Sequence, residues 1–319
     1  MGLMRINGAI LFVIKLVIAF AAFIFVFLKL YEQGAQGFDD LFSHDLFRSN
    51  WHCLFFAIVL MPVGWSIEAF KWILSLKGIQ KTTFVDSLKT IWYGVGVGLL
   101  TPNRIGEPIG RMAMVNPENR AKSGVMAVLC GASQQLATLF FGFIGMIILA
   151  GDSDQEISEN LSNPFAVTFI IASIIIPLIF VLKVNWIAKN LNKIKYFKRL
   201  LSGESVDVNI SNLKIISLVS LSLIRYAVFS TQFLFLLYFF GYDLSIVKAY
   251  SAIFATYLFA SAVPSFAIGE AGVRTSFAII FIGATWSNPT AIAFAAMSLW
   301  LLNVALPGLV GVWFPFSKR

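Results

Sequence analysis

The sequence predicts an all-α fold, a polytopic membrane helical bundle with two broken or re-entrant hairpins related as an inverted repeat. Of its 319 residues, 58% are hydrophobic and only 13% are charged, whereas about a quarter of the residues in a typical soluble domain are charged. The mean hydropathy is +0.82. Several apolar runs reach the roughly 20 residues that a helix needs to cross a bilayer. We therefore expect a single membrane domain over residues 1–319.

The basic residues do not indicate a nucleic-acid partner, although the net charge is +8. They cluster in a few segments between apolar runs, which is the distribution that the positive-inside rule predicts. Cys53 and Cys130 both lie inside predicted spans, so a disulfide framework is not expected. His44 and His52 lie far from any set of metal ligands. We therefore expect no metal site and no cofactor.

The first two spans are predicted at Ile10–Leu30 and Trp51–Leu74. The first is longer than the core of a signal peptide, and no small-residue cleavage site follows it. The loop between them, Tyr31–Asn50, is acidic and is expected outside the cell. The second span ends near Lys71 and Lys77, whose long side chains are expected to reach the inner membrane interface.

A short apolar run at Ile91–Leu100 has basic residues on both sides. Its ten residues are about half of what a full crossing needs, so a re-entrant segment that enters and leaves on the cytoplasmic side is expected. Gly94, Gly96 and Gly98 alternate along it and permit close approach of neighbouring backbones. A short, tilted full crossing is the alternative.

The next spans are predicted at Ser123–Ala150 and Phe165–Leu182. The loop between them begins at Gly151, is acidic without Lys or Arg, and is expected outside through Asn163. The following segment, Lys183–Lys214, is the most basic part of the chain and is expected to be cytoplasmic. Its apolar residues recur at helical spacing, which indicates an amphipathic helix on the inner leaflet, either a connector or a binder of anionic headgroups.

A further span at Leu213–Phe240 carries Arg225 near its centre, where a cation needs a partner or water. The chain then enters the membrane again, breaks, and resumes, either as a re-entrant hairpin or as two crossings. The last span brings the C-terminus to the cytoplasmic side, where the N-terminus is also expected. These segments are Ile246–Ala262, the break Val263–Gly272, Val273–Thr285 and Ala291–Trp313.

Two motifs resemble one pattern written twice, with a proline, then Gly-Glu, then an arginine four residues after the glutamate. A proline and a glycine next to charged residues indicate backbone that leaves the helix at membrane depth, which is tolerated inside protein or along a watery cavity. The alternative is a pair of helix-end turns with arginines that reach the interface. The residues are Pro102, Gly106, Glu107 and Arg111 in the first motif, and Pro264, Gly269, Glu270 and Arg274 in the second.

The charges at membrane depth favour an anionic ligand, because arginines exceed glutamates by one when Glu68 is included. Arginine binds phosphate with two parallel hydrogen bonds, and helices that start after a break add N–H donors. Alternatively, each motif glutamate pairs with the arginine one turn later as an internal ion pair. The predicted substrate-binding residues are Arg104, Glu107, Arg111, Arg225, Glu270 and Arg274.

Around the two motifs the sequence resembles the lysylphosphatidylglycerol-synthase transmembrane-region family, also called the flippase-like domain family. The resemblance extends over nearly the whole chain. It implies residence in a bacterial or archaeal cytoplasmic membrane and lipid translocation, as in the membrane half of the multiple peptide resistance factor. That factor also carries a C-terminal aminoacyl-transferase domain. The present chain ends at Arg319, so synthase activity is not expected.

The sequence thus predicts a lipid flippase or scramblase for an anionic or phosphate-containing lipid, either a phospholipid or a polyprenyl phosphate. No arrangement of nucleophile and base is visible, so an enzyme is not expected. The alternatives are a proton-coupled secondary transporter of a small anion and a non-transporting membrane subunit. Association into a homo-oligomer is left open by the sequence.

Overall fold

The structure is a computed structural model that describes residues 8–33, 44–101, 104–152, 209–243, 245–263, 265 and 267–314. It also describes residues 175, 178–179, 181–186 and 189–190. Most of the predicted Phe165–Leu182 span and of the Lys183–Lys214 segment lies outside these residues, as do half of the predicted outer loop Tyr31–Asn50 and most of the outer loop Gly151–Asn163. The prolines of the two motifs, Pro102 and Pro264, lie outside them as well.

The described residues form helices and no strands, which confirms the predicted all-α class. We number the longer helices in chain order. They are α1 (Gly8–Gln33), α2 (His44–Leu76), α3 (Phe84–Leu99), α4 (Gly106–Ala113), α5 (Arg120–Asp152), α6 (Asn212–Phe239), α7 (Ile246–Ala262), α8 (Ala267–Gly283), α9 (Pro289–Trp300) and α10 (Leu306–Val312).

Four stretches of the described chain are long and apolar enough to cross a membrane. They contain large apolar side chains that are exposed on the surface of the bundle, such as Phe55, Ile147 and Leu309, as expected for helices that face lipid tails. The predicted multi-pass membrane class is therefore confirmed. The stretches are Ser49–Leu76, Pro117–Leu149, Asn212–Phe239 and Pro289–Val312.

Helices α2 and α6 form the most extensive packing pair of the bundle, and they run antiparallel. Gln232 on α6 donates to the carbonyl of Ala57 at 2.8 Å near one end, and Lys71 donates to Ser222 at 3.2 Å near the other. Helix α5 packs in the same way against α7, and α1 packs against α8. The charged residues of the motifs lie among these helices.

The first hairpin consists of α3 and α4, which pack antiparallel through glycines. A Cβ atom added to Gly110 would lie 2.8 Å from Gly94 Cα, so the two backbones touch without side chains between them. Gly96 on the opposite side of α3 faces α10, and its added Cβ would lie 2.7 Å from Gly308 O. The predicted close approach at these glycines is confirmed. The 16 residues of α3 rise about 24 Å, less than the roughly 30 Å of a hydrocarbon core.

The second hairpin consists of α7 and α8, each of 17 residues. The ring of Phe259 packs at a tilt against the rings of Phe277 and Phe281, and Thr256 donates to the Phe277 carbonyl at 3.4 Å. Its break, between Ala262 and Ala267, falls inside the predicted Val263–Gly272 interruption. The re-entrant path of both hairpins and the inverted repeat stay predictions.

A single π-helical turn, Leu301–Ala305, joins α9 to α10. Pro307 follows it and has no N–H to donate back into the helix, which favours a local widening of the turn. Asn303 lies in this turn and donates to Gln232 Oε1 at 2.8 Å. The turn thus directs a polar side chain toward α6 in the middle of an apolar helix.

Candidate functional site

The charged side chains of the two hairpins meet those of α2 and α6 around a cavity of about 570 Å³. This volume is within the range of small-molecule sites, roughly 300–1,000 Å³. We call it the charged cavity. Its charged lining residues are Glu68, Lys71, Arg104, Glu107, Arg111, Arg225, Glu270 and Arg274.

Glu68 on α2 contacts three cations. Its side chain is 4% exposed, and Oε1 accepts a hydrogen bond from Arg111 Nη2 at 2.9 Å. Oε2 lies 2.8 Å from Lys71 Nζ and 3.4 Å from Arg225 Nε. A buried carboxylate is tolerated here because several cations offset its loss of hydration. The sequence marked Glu68 as a charge inside a span but did not place it among the substrate-binding residues.

Lys71 does not reach the membrane interface, so the prediction made for it is wrong. Its side chain is 1% exposed, and Nζ lies 3.2 Å from Ser222 Oγ and 3.5 Å from Gln134 Oε1. Lys71 follows Glu68 by three residues and shares its helix face, which packs against α6. The ion pair therefore holds the ammonium inside the bundle. The signal in the sequence was this spacing of opposite charges within an apolar span.

Arg111 connects α4 to α2. Its Nη2 donates to Glu68 Oε1 at 2.9 Å and to Glu107 Oε1 at 2.7 Å. The guanidinium also lies 5.4 Å from the ring centroid of Trp72, within cation–π range. A Cβ atom added to Gly94 would lie 2.8 Å from Arg111 Cγ. The glycine on α3 thus leaves the space that the arginine stem occupies.

Arg104 connects the first hairpin to the second. Its Nε lies 3.0 Å from Glu270 Oε2, and its Nη1 lies 3.9 Å from Glu107 Oε2. The backbone of Arg104 has φ 54°, in the left-handed region that few residues other than glycine adopt. Nearby, the backbone N–H of Gly106 donates to Thr101 Oγ1 at 2.8 Å, which ties the two ends of the interruption together.

Arg274 on α8 forms an ion pair with Glu270 one turn earlier. Its guanidinium lies 5.5 Å from the ring centroid of Tyr257 on α7. Both motifs therefore contain the glutamate–arginine pair that the sequence allowed as an alternative. Each pair also contacts a charged residue from another part of the chain, since Arg104 contacts Glu270 and Glu68 contacts Arg111.

Arg225 on α6 faces α2 and α5. Its Nη1 donates to Gln134 Oε1 at 3.2 Å, and its guanidinium lies 5.4 Å from the ring centroid of Trp65. Gln134 and Gln135 are neighbours on α5. Gln135 donates to Ser261 Oγ at the end of α7 at 2.9 Å, so this pair of amides links α5 to both sides of the charged cavity.

The structure therefore brings all six predicted substrate-binding residues to one cavity and adds Glu68 and Lys71 to them. The motif glycines have equivalent places, because Gly106 is the first residue of α4 and Gly269 lies in the first turn of α8. Glu107 and Glu270 both lie in the first turns of these helices. Carboxylates in that position interact favourably with the positive end of the helix dipole.

This fold and site define a multi-pass helical membrane protein with a charged cavity where two interrupted hairpins meet. The family model of the lysylphosphatidylglycerol synthase TM region matches residues 12–311. The chain belongs to this family, and the family predicted from the two motifs is confirmed. Membership fits a membrane protein related to lipid handling. No curated protein matches the chain, and no solved structure matches it.

Proposed function

We propose that this protein is a flippase or scramblase that moves an anionic or phosphate-containing lipid across the cytoplasmic membrane of a bacterium or archaeon. The observation that carries the proposal is the charged cavity between the two hairpins. Charged side chains inside a membrane bundle are costly and usually belong to a binding site or a transport path. The proposed activity is transport without a chemical reaction.

The side chains of the charged cavity suit a phosphate headgroup. Arg104, Arg111, Arg225 and Arg274 all line it, and the guanidinium group matches the geometry of phosphate oxygens. Glu107 forms an ion pair with Arg111, and Glu270 forms one with Arg274. A phosphate headgroup would contact the same two arginines. An entering phosphate can therefore replace a carboxylate at an arginine, and the carboxylate can expel the phosphate when the pair forms again.

The family supports lipid rather than a soluble anion as the cargo, since its name refers to the synthesis of a phospholipid derivative. In the proposed orientation both termini are cytoplasmic. The headgroup passes through the charged cavity while the acyl chains stay among lipid tails.

Reconstitution tests the proposal. Vesicles containing the purified full chain and a fluorescent anionic lipid, phosphatidylglycerol in one series and phosphatidic acid in another, would be treated with a membrane-impermeant quencher, and the accessible fraction of the probe would be followed. With the wild type, the quencher is expected to reach probe from both leaflets, because the protein moves the lipid across the membrane. With Arg111→Gln, it is expected to reach only the probe of the outer leaflet. Arg120→Gln is the matched control, because Arg120 is exposed at the start of α5 and outside the charged cavity.

Absence of probe movement in wild-type vesicles, together with uptake of a small soluble anion, would replace the flippase with the transporter alternative. Equal activity of Arg111→Gln and Arg120→Gln would contradict a role of the charged cavity in lipid movement.

A further inference from the structure

The charges that line the charged cavity do not balance. Five cationic side chains meet three carboxylates, which leaves a formal sum of two positive charges at neutral pH. Among the described residues no other charged side chain lines the cavity. The cations are Lys71, Arg104, Arg111, Arg225 and Arg274, and the carboxylates are Glu68, Glu107 and Glu270.

This excess is distributed along one connected network rather than at separate sites. Lys71, Arg111 and Arg225 all contact Glu68. From Arg111 the network continues through Glu107, whose carboxylate lies 3.9 Å from Arg104. From Arg104 it reaches Glu270 and then Arg274. Because neighbouring charges of the network are in contact, a ligand that binds one arginine alters the charge balance of the others.

Several N–H donors of the cavity lining also have no protein partner. Arg111 Nη1 is buried without such a partner, in a residue that is only 5% exposed. Arg104 Nη2 and the indole Nε1 of Trp65 are buried in the same condition. Buried donors are normally hydrogen-bonded. Arg104 and Arg111 belong to the network with the excess charge, so a phosphate that displaces a carboxylate from them brings acceptor oxygens to donors that have no protein partner.

We infer that the charged cavity selects a phosphate monoester over a phosphodiester. A monoester carries between about 1.5 and 2 negative charges at pH 7 and has three acceptor oxygens, which complements the two excess positive charges and the unpaired N–H donors of Arg104 and Arg111. A diester carries one negative charge and leaves one positive charge of the network unbalanced. This inference rests on the proposed function and narrows its cargo to lipids with a terminal phosphate, such as phosphatidic acid or a polyprenyl monophosphate.

Binding in nanodiscs tests the selectivity. The full chain would be placed in phosphatidylcholine nanodiscs that contain increasing shares of either phosphatidic acid or phosphatidylglycerol with the same acyl chains. Tryptophan fluorescence would report binding, since Trp65 and Trp72 lie against Arg225 and Arg111. We expect phosphatidic acid to bind at least about tenfold more tightly, which corresponds to about 1.4 kcal/mol. Equal binding of the two lipids would overturn the inference.

A charge-changing variant separates this selectivity from a general preference for anions. Arg104→Gln lowers the formal excess to one charge and keeps the Arg111 contacts, so the two lipids are expected to bind alike. Arg120→Gln should keep the wild-type ratio. A ratio that stays unchanged in Arg104→Gln would contradict the charge-matching account. A thermal melt of each variant verifies that it is folded.

Soluble glycerol phosphate distinguishes a lipid from a free phosphate ester as the source of the ligand. If it competes with phosphatidic acid only at far higher concentration, the ligand is a lipid. If it binds as tightly, the monoester selectivity stands and the lipid-transport proposal fails. If phosphatidylglycerol moves across vesicles and phosphatidic acid has no binding advantage, the transport proposal stands and the monoester inference fails.

Discussion

Arg104 Nε lies 3.0 Å from Glu270 Oε2, and this contact joins the interruption of the first hairpin to the first turn of α8 in the second. Each of the two residues has a second partner of opposite charge. Arg104 also lies near Glu107, and Glu270 also pairs with Arg274. The contact can therefore be exchanged for another ion pair at modest cost. This makes it the part of the charged network best suited to change in the proposed transport cycle.

Removing this contact is expected to loosen the second hairpin near its break. In a chain whose Cys53 and Cys130 are replaced by Ala, Ser265→Cys should react with a maleimide several-fold faster when Arg104→Gln is added. Lys29→Gln is the matched control, because Lys29 forms an exposed ion pair with Glu32, and such pairs contribute little. Identical labelling rates in all three backgrounds would contradict a joining role for the Arg104–Glu270 contact.

Neutralising Glu107 or Glu270 is expected to separate binding from release. Glu107→Gln and Glu270→Gln remove the carboxylates that pair with Arg111 and Arg274 and that, in the proposed function, compete with phosphate for them. Each variant should hold an anionic headgroup more tightly and move it more slowly. Binding in nanodiscs and movement in vesicles measure the two effects. Unchanged movement in both variants would reduce these glutamates to internal ion-pair partners with a structural role.

Glu68→Gln is expected to destabilise the bundle strongly. It leaves Lys71 and Arg111, both buried, without their shared carboxylate, and breaking a buried ion pair in this way costs about 3–5 kcal/mol. The apparent melting temperature in detergent should fall clearly. Adding Lys71→Met should restore part of it, because one unpaired charge disappears. A melting temperature equal to the wild type for Glu68→Gln alone would refute this account.

Alanine at Gly94 and at Gly131 should have opposite effects. A Cβ atom at Gly94 would lie 2.9 Å from the Glu107 carbonyl, and such overpacking costs about 1–3 kcal/mol. Nothing lies within 4 Å of a Cβ atom at Gly131, where alanine should stabilise α5 by about 0.5–1 kcal/mol. Melting curves of the two variants measure the difference. Equal effects would exclude glycine-dependent packing of α3 on α4.

The distribution of Lys and Arg predicts which segments face the cytoplasm. Single cysteines in Lys183–Lys214 should be inaccessible to an impermeant reagent in intact cells. Single cysteines in Tyr31–Asn50 and in Gly151–Asn163 should react. Labelling of the basic segment from outside would reverse the orientation and remove the basis for the inverted repeat.

The sequence by itself determined the membrane class, the approximate bounds of the four spans found among the described residues, the family and most of the charged site. These features depend on properties that are local in the chain. Apolar runs long enough to cross a bilayer, Pro and Gly at interruptions, and charges inside spans are visible residue by residue. The two Gly-Glu motifs identified four of the charged residues, and the mid-span position of Arg225 identified another.

Only the tertiary structure decided how these charges are paired. Helix periodicity suggested the pairs one turn apart, but the contacts of Arg104 with Glu270 and of Arg111 with Glu68 join distant parts of the chain. Lys71 shows the same limit of inference from sequence, since its side chain is long enough either to reach the membrane interface or to turn into the bundle. The packing of α6 and α5 against α2 puts Ser222 and Gln134 beside it. Because a buried ammonium requires such partners, the fold decided the direction that the sequence had predicted wrongly.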